Sequence, residues 1–432
     1  MTQFSLQAKM PAQTLAQKLL AKSADRAQVA VGEILNCRVD LAMFHDSSGP
    51  RRLKPMLEEL GATIWDKSKV VLVMDHYVPE QDDDSRRIVR IARDWAIEQR
   101  LPHVYDSIGI CHVVLPQKGH IRSGMFCVGG DSHSPTGGAF GAYMFGIGST
   151  EMLGVMVTGE LWVRVPETIR MQWDNMLTPG VAAKDMMLHM IGRFGMNGGQ
   201  YQAVEFCGSG VQALSMQERM TMSNMSAEMG AQVGLIAPDE TTRQWLLNAG
   251  VAAAAEMDLS GWTTDAGATV TTHVFDAATL APQVAAPHSP ANTKPVQAFD
   301  QVRVDVAYIG ACTGAKLDDL RSAAQVFKGR KVATGVRLMV APASQQDQQQ
   351  AESEGIMATL WEAGAEVLPT GCGACAGYGG SIPDGANVIA TTARNFKGRM
   401  GSATAQVYLA SPFTVAASAL RGVISDPREI LA

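Results

Sequence analysis

Three cysteines late in the 432-residue chain sit in glycine-rich company: Cys312 in Gly310-Ala311-Cys312-Thr313, and Cys372 and Cys375 in Gly371-Cys372-Gly373-Ala374-Cys375-Ala376-Gly377. A structural zinc site closes its tetrahedron with four protein ligands, and an electron-transfer iron–sulfur cluster is normally held by four cysteines. Three thiolates leave one iron of a cluster open to water or to a substrate oxygen, which makes it a Lewis acid rather than an electron carrier. Gly371, Gly373 and Gly377 would let backbone approach such a cluster and donate N–H groups to its sulfides. By itself the Cys-x-x-Cys pair also suits half a zinc knuckle or a thioredoxin-like redox pair. The glycine frame and the distant third cysteine weigh toward the cluster. Cys37, Cys111, Cys127 and Cys207 have no paired spacing and read as small buried or half-buried side chains.

Other groupings could do acid–base work. In Asp75-His76 a carboxylate next to an imidazole can fix its tautomer and raise its basicity, as a proton donor to a leaving hydroxide requires. The loop Gly129-Gly130-Asp131-Ser132-His133-Ser134-Pro135-Thr136-Gly137-Gly138 places a second carboxylate and imidazole two residues apart, suited to hydrogen bonds around a metal-bound water. Asn224 and Glu228 are four apart and would share a helix face, with Met220, Met222, Met225 and Met229 marking that helix as largely buried. Arg394-Asn395-Phe396-Lys397-Gly398-Arg399 brings three cations together and could grip carboxylates by bidentate hydrogen bonds. Each of these, in isolation, is equally a turn, a solvated face or a surface patch.

The elements that must position these groups follow an α/β rhythm. Val70-Val71-Leu72-Val73-Met74 reads as a buried strand ending at Asp75-His76, and Val302 to Ile309 as another ending just before Cys312. In open α/β sheets, ligands bind beyond the carboxyl ends of the strands, where these groups fall. Leu15, Leu19 and Leu20 have the spacing of an amphipathic helix near the N-terminus. The Ala/Pro-rich segment 281–297 reads as an interdomain linker. Past it lie the three cysteines and no histidine, so the crevice is expected between lobes.

Composition narrows the partners. A formal net charge of −6 and the lack of a Lys/Arg-rich tract argue against nucleic acid. No apolar stretch is long enough to span a membrane, and seven cysteines without a signal peptide point to a reducing, cytoplasmic setting. The glycines Gly141, Gly146 and Gly148 fit neither a dinucleotide fingerprint nor a P-loop.

Taken together, these segments resemble the aconitase superfamily, most closely its 3-isopropylmalate dehydratase large subunits and their homoaconitase-like and dehydratase relatives. The likeness runs from Asp40-Leu41-Ala42-Met43 through Met74-Asp75-His76, Gly109-Ile110-Cys111-His112, Gly130-Asp131-Ser132-His133, the 220–231 methionine segment and both cysteine motifs to Arg394–Arg399 and Leu409-Ala410-Ser411-Pro412. It implies three doubly wound α/β/α domains, at 1–165, 166–280 and 298–432 around the 281–297 linker, with the superfamily's swivelling domain absent. It implies a [4Fe-4S] cluster on Cys312, Cys372 and Cys375 with one iron not ligated by protein. Asp75 and His76 would handle the leaving hydroxyl. His112, Asp131, His133, Asn224 and Glu228 would surround the open iron and its water. His45, Asn224, Arg394 and Arg399 would bind substrate.

The implied activity is reversible hydration of a double bond beside carboxylates, with 3-isopropylmalate/2-isopropylmalate isomerisation as the leading substrate assignment. A serine base would come from a small swivelling-domain subunit in a heterodimer or heterotetramer. Two departures bear on substrate: Thr313-Gly314-Ala315-Lys316 replaces the usual Thr-Asn-small-Arg, and Ala393 replaces an asparagine. Maleate or citraconate hydration, 2,3-dimethylmalate dehydration and homoaconitate chemistry therefore stay open. Readings of another class are an RNA-binding or iron-sensing regulator, which a gel shift would reveal, and a zinc-structured scaffold without catalysis.

Overall fold

The computed structural model describes residues 11–378 and 382–431. Three sheets, each confined to one stretch of chain, carry the architecture. The first is wholly parallel and runs in the order His103–Asp106, Val70–Met74, Leu41–His45, Phe126–Gly129, Tyr143–Gly146. Its strands Leu41–His45, Val70–Met74 and Phe126–Gly129 are buried throughout, which is why they read as unbroken apolar runs rather than alternating ones. The second is parallel as well, in the order Val233–Ile236, Ala203–Cys207, Thr168–Asp174, Thr271–Asp276.

The third sheet has a parallel core in the order Gln406–Ala410, Asn387–Ala390, Val306–Ile309, Arg337–Val340, Ala365–Val367. The segment expected to be a linker is built into this sheet. Gln283–Ala285 pairs antiparallel with the Gln406–Ala410 strand, and Thr293–Pro295 pairs antiparallel beyond it. Proline cannot donate to a ladder, and Pro295 is tolerated because it lies on the outermost strand.

Within the first two sheets and the parallel core of the third, the first strand in sequence lies inside, and the connections run outward to one side before reversing to the other. That reversal makes a switch point, where the loops at two adjacent strand ends diverge and leave a crevice. In the first sheet it lies between His45 and Gly129, in the third between Ile309 and Ala390. Buried side chains of the first and third sheets, Met43, Val71, Ile309 and Val340 among them, belong to one continuous core, so the two crevices are held against each other. The expected N-terminal helix is Leu15–Ser23, capped by Thr14; the first ten residues lie outside the described ones.

Candidate active site

Both switch points open into a single cavity of about 590 Å³. From the first sheet come His45, His76, His112, Asp131 and His133, and from the third Cys312, Cys372, Cys375, Arg394 and Arg399. Asn224 and Glu228 close it from behind. They do not share a regular helix face: the helix Met216–Met225 ends just after Asn224, and Glu228 lies in a tighter 3₁₀ turn, Ser226–Met229, that stops at Gly230. All four flanking methionines are buried as expected. Lys397 is exposed and takes no part in the cavity wall.

Asp75 is fully buried at the end of its strand. One of its oxygens accepts from His76 Nδ1 at 2.7 Å, and the other from the Cys111 N–H at 2.7 Å, the opening donor of the helix that carries His112. Its own carbonyl accepts from the Cys372 N–H at 2.8 Å, which ties the acid–imidazole turn to the cysteine loop. Burial works against both charged forms here, but the attraction within the pair prevails, lowering Asp75 to about 2 and raising His76 to about 9. His76 is thus an imidazolium at neutral pH with Nε2 left for the cavity.

Asp131 is the common anion of the histidines. It accepts from His112 Nε2 at 2.7 Å and from the His133 backbone N–H at 2.7 Å, and its other oxygen lies 3.5 Å from His45 Nε2 and 3.9 Å from His76 Nε2. The His45 and His76 rings stack with centroids 3.8 Å apart. Against the opposing effect of burial, His112 above all holds Asp131 well below the usual carboxylate range. Glu228 accepts from His133 Nε2 at 2.9 Å and from Arg394 Nε at 2.7 Å, and these partners outweigh burial and lower it. Asn224 donates to Thr136 Oγ1 at 2.8 Å and to Cys312 Sγ at 3.2 Å.

The cysteine geometry discriminates between metal groups. Thiolates on a single zinc, at Zn–S distances of about 2.3 Å, lie about 4 Å from one another. Among the described residues the groups tight enough to share one ion, with ligand atoms within 4.8 Å, are His45–Asp46–Asp75–His76 and His112–Asp131–His133; the three cysteines form no such group. The three thiols do not all lie within 4.8 Å of one another, although Cys372 and Cys375 interact directly, and a multi-iron cluster with a separate iron for each thiolate suits that arrangement. Gly371, Gly373 and Gly377 have φ of +153°, +44° and +76°, backbone that a side chain would strain. Several buried polar atoms around the cavity also lack a hydrogen-bond partner among the described residues: Asn224 Oδ1, Glu228 Oε2, Arg399 Nε and the Tyr308 hydroxyl. Orphaned polar atoms are costly, and here they gather where an occupant would satisfy them.

Gly314 has a steric reason. A Cβ there would come within 2.1 Å of Thr391 Cβ, and the Thr391 hydroxyl is locked by the Gly310 N–H and carbonyl at 2.8 Å each. Ala393 is buried and leaves its part of the wall without an amide.

Sequence reasoning passed over two supporting residues. Asp46 is fully buried and accepts the backbone N–H groups of His76 and Tyr77 at 3.1 and 2.7 Å, shaping the Asp75-His76 turn. Its signal was present as a second acid–imidazole pair, His45-Asp46, at a neighbouring strand end. Lys184, buried in the helix Ala183–Phe194, donates to the carbonyls of Thr391 and Thr392 beside the cysteine loops, and burial pushes its ammonium down to about 7. Nothing local in the sequence marks it.

An α/β scaffold that converges imidazoles, carboxylates, arginines and three cysteines on one cavity defines a metal-assisted hydro-lyase rather than a redox carrier. The chain belongs to the aconitase family (aconitate hydratase), whose model matches residues 17–422, and is a hydro-lyase of that family. It is 42% identical over 420 residues to the 3-isopropylmalate dehydratase large subunit of Nitratidesulfovibrio vulgaris, covering 96% of this chain and 99% of that protein. It is 41% identical to 3-isopropylmalate dehydratase large subunit 1 of Methanopyrus kandleri, over 97% of this chain and 99% of the relative. The fold is shared with the holo-form of aconitase X from Thermococcus kodakaraensis, at a TM-score of 0.51 and 12% identity over 83% of this chain and 84% of that one. The family implies a [4Fe-4S] cluster, and the three thiols, glycine frame and unpaired polar atoms of the cavity fit one.

Proposed function

We propose that this chain is the large subunit of a cytoplasmic iron–sulfur dehydratase acting on a 2-hydroxy dicarboxylic acid, with 3-isopropylmalate the leading substrate on the strength of its relatives. The observation that carries the reading is the Asp75–His76 ion pair, closed at 2.7 Å with the His76 ring protonated at neutral pH, opening into the same cavity as the three cysteines. Cys312, Cys372 and Cys375 would hold the cluster, which when bound supplies a Lewis acid through an iron that no protein group ligates. His76 Nε2 delivers the proton that turns a departing hydroxide into water. Asp75 keeps the ring in the tautomer that makes this possible and stabilises its charge. Asp131 and Glu228 orient His112 and His133, and Arg394 and Arg399 hold substrate carboxylate.

Removal of the carbon-bound proton needs a base, which we assign to a small swivelling-domain subunit. Support comes from the chain's match over nearly its whole length to proteins named large subunits. Gly314 and Ala393 favour a second reading of the substrate: without two amides that the family usually places here, the pocket suits a different diacid such as citraconate or maleate. The test is turnover by the chain joined to its small subunit, followed through absorbance of the conjugated double bond, on 3-isopropylmalate, 2-methylmalate and malate. Turnover of none of these refutes the dehydratase assignment.

A further inference from the structure

One cation on the cavity wall has no role in the chemistry above. Arg52 lines the cavity from the first turn of the helix Pro50–Leu60, which follows the strand ending at His45. Its neighbours on that helix are engaged. Arg51 Nε donates to the Ser47 carbonyl at 2.8 Å and its guanidinium lies 5.6 Å from the Tyr77 ring centroid, and Lys54 pairs with Glu58 and Glu98. The Arg52 side chain is exposed and makes no hydrogen bond or ion pair among the described residues, while its backbone N–H donates to the Gly49 carbonyl at 2.9 Å. On the third-sheet side, Arg394 is committed to Glu228 and to Ser132 Oγ at 2.9 Å. Among the described residues Arg399 pairs with no carboxylate; its guanidinium interacts with the Cys375 thiol and its buried Nε is unpartnered. The cavity therefore holds two cations without carboxylate partners, Arg52 contributed by the first sheet and Arg399 by the third.

We propose that Arg52 is a specificity-determining residue that takes one carboxylate of a dicarboxylic substrate while Arg399 takes the other. The inference rests on reading the cavity as the substrate site. A planar guanidinium matches a carboxylate through two parallel N–H···O bonds, and its charge does not titrate in the working range. An acid of similar shape with one carboxylate leaves Arg52 unmatched, so the residue separates diacids from monoacids. Ser48 Oγ, another buried and unpartnered atom on the same wall, offers a neighbouring hydrogen-bond site for the carboxylate that Arg52 holds.

Calorimetric titration of the full, cluster-loaded chain with citraconate and with methacrylate, which keeps the methyl group and one carboxylate, tests this directly. Wild-type chain is expected to bind citraconate roughly 10- to 100-fold more tightly than methacrylate. Arg52→Gln loses most of that preference by weakening citraconate alone, and Arg52→Lys, a charge without the fork, recovers part of it. Equal binding of the two probes by wild type, an unchanged preference in Arg52→Gln, or equal weakening of both probes would each overturn the inference. Arg52-dependent diacid binding by a chain that, with its small subunit, hydrates nothing would instead sink the dehydratase reading and leave the inference standing.

Discussion

Asp131 and Asp75 divide the work of charge at the level of single side chains. Asp131 gathers imidazoles, whereas Asp75 hydrogen-bonds to one, and that close contact with Asp75 is the main attraction that raises His76. The sign of the pH effect follows. His76 is raised from an unfolded value of roughly 6.5 to about 9, so the pair's stabilisation is complete below the lower value and is lost as pH rises through about 9. Dehydration, which needs the protonated ring, should fall over the same upper limb. Asp75→Asn should cut kcat by roughly 10²- to 10⁴-fold and move the alkaline fall in a pH–rate profile toward neutrality; an unmoved limb would assign the proton to another group. Cys375→Ser should purify with less iron and without broad visible absorbance, measured anaerobically against wild type. Equal iron content would place the cluster elsewhere.

Elements explain why these residues meet. Asp75-His76 and Cys312 were legible because each follows a short apolar run rich in β-branched residues, and strand ends at a switch point are where α/β sheets expose chemistry. Arg394 and Arg399 were legible as a clamp from three cations in one short loop, although Lys397 turned outward. Three features were not. Segment 281–297 looks like a linker because edge strands tolerate proline. The Asn224–Glu228 spacing suggests one helix, because the change to a 3₁₀ turn leaves no mark on apolar periodicity. Lys184 meets the cysteine loops only through contacts distant in sequence. Gly314 shows the same long-range dictation, since Thr391 fills the space its side chain would need. Gly314→Ala should destabilise the chain by about 1–3 kcal/mol through overpacking, read from urea denaturation, and Thr391→Gly in the same chain should return part of the loss. Additive losses would mean that the two sites do not press on each other.

At the scale of the whole molecule, the first and third sheets supply opposite sides of one cavity while the second contributes Asn224 and Glu228 through the segment that packs behind it. This arrangement provides a proton donor, anchors for carboxylates and ligands for a cluster, but the base is assigned to a partner. The chain alone, cluster loaded, should therefore turn over at least 100-fold more slowly than with its small subunit, on the scale of general base catalysis of roughly 10²- to 10⁴-fold. Full turnover without the partner would place the base within this chain. The central claim, that three cysteines hold the group on which hydration depends, is tested most directly by measuring hydration of 2-isopropylmaleate and citraconate by the two-subunit enzyme as prepared anaerobically, after iron removal, and after reconstitution with iron and sulfide. Activity is expected to disappear with the iron and to return with about four irons per chain. Undiminished hydration by iron-free protein, or by protein carrying one zinc per chain, would contradict it.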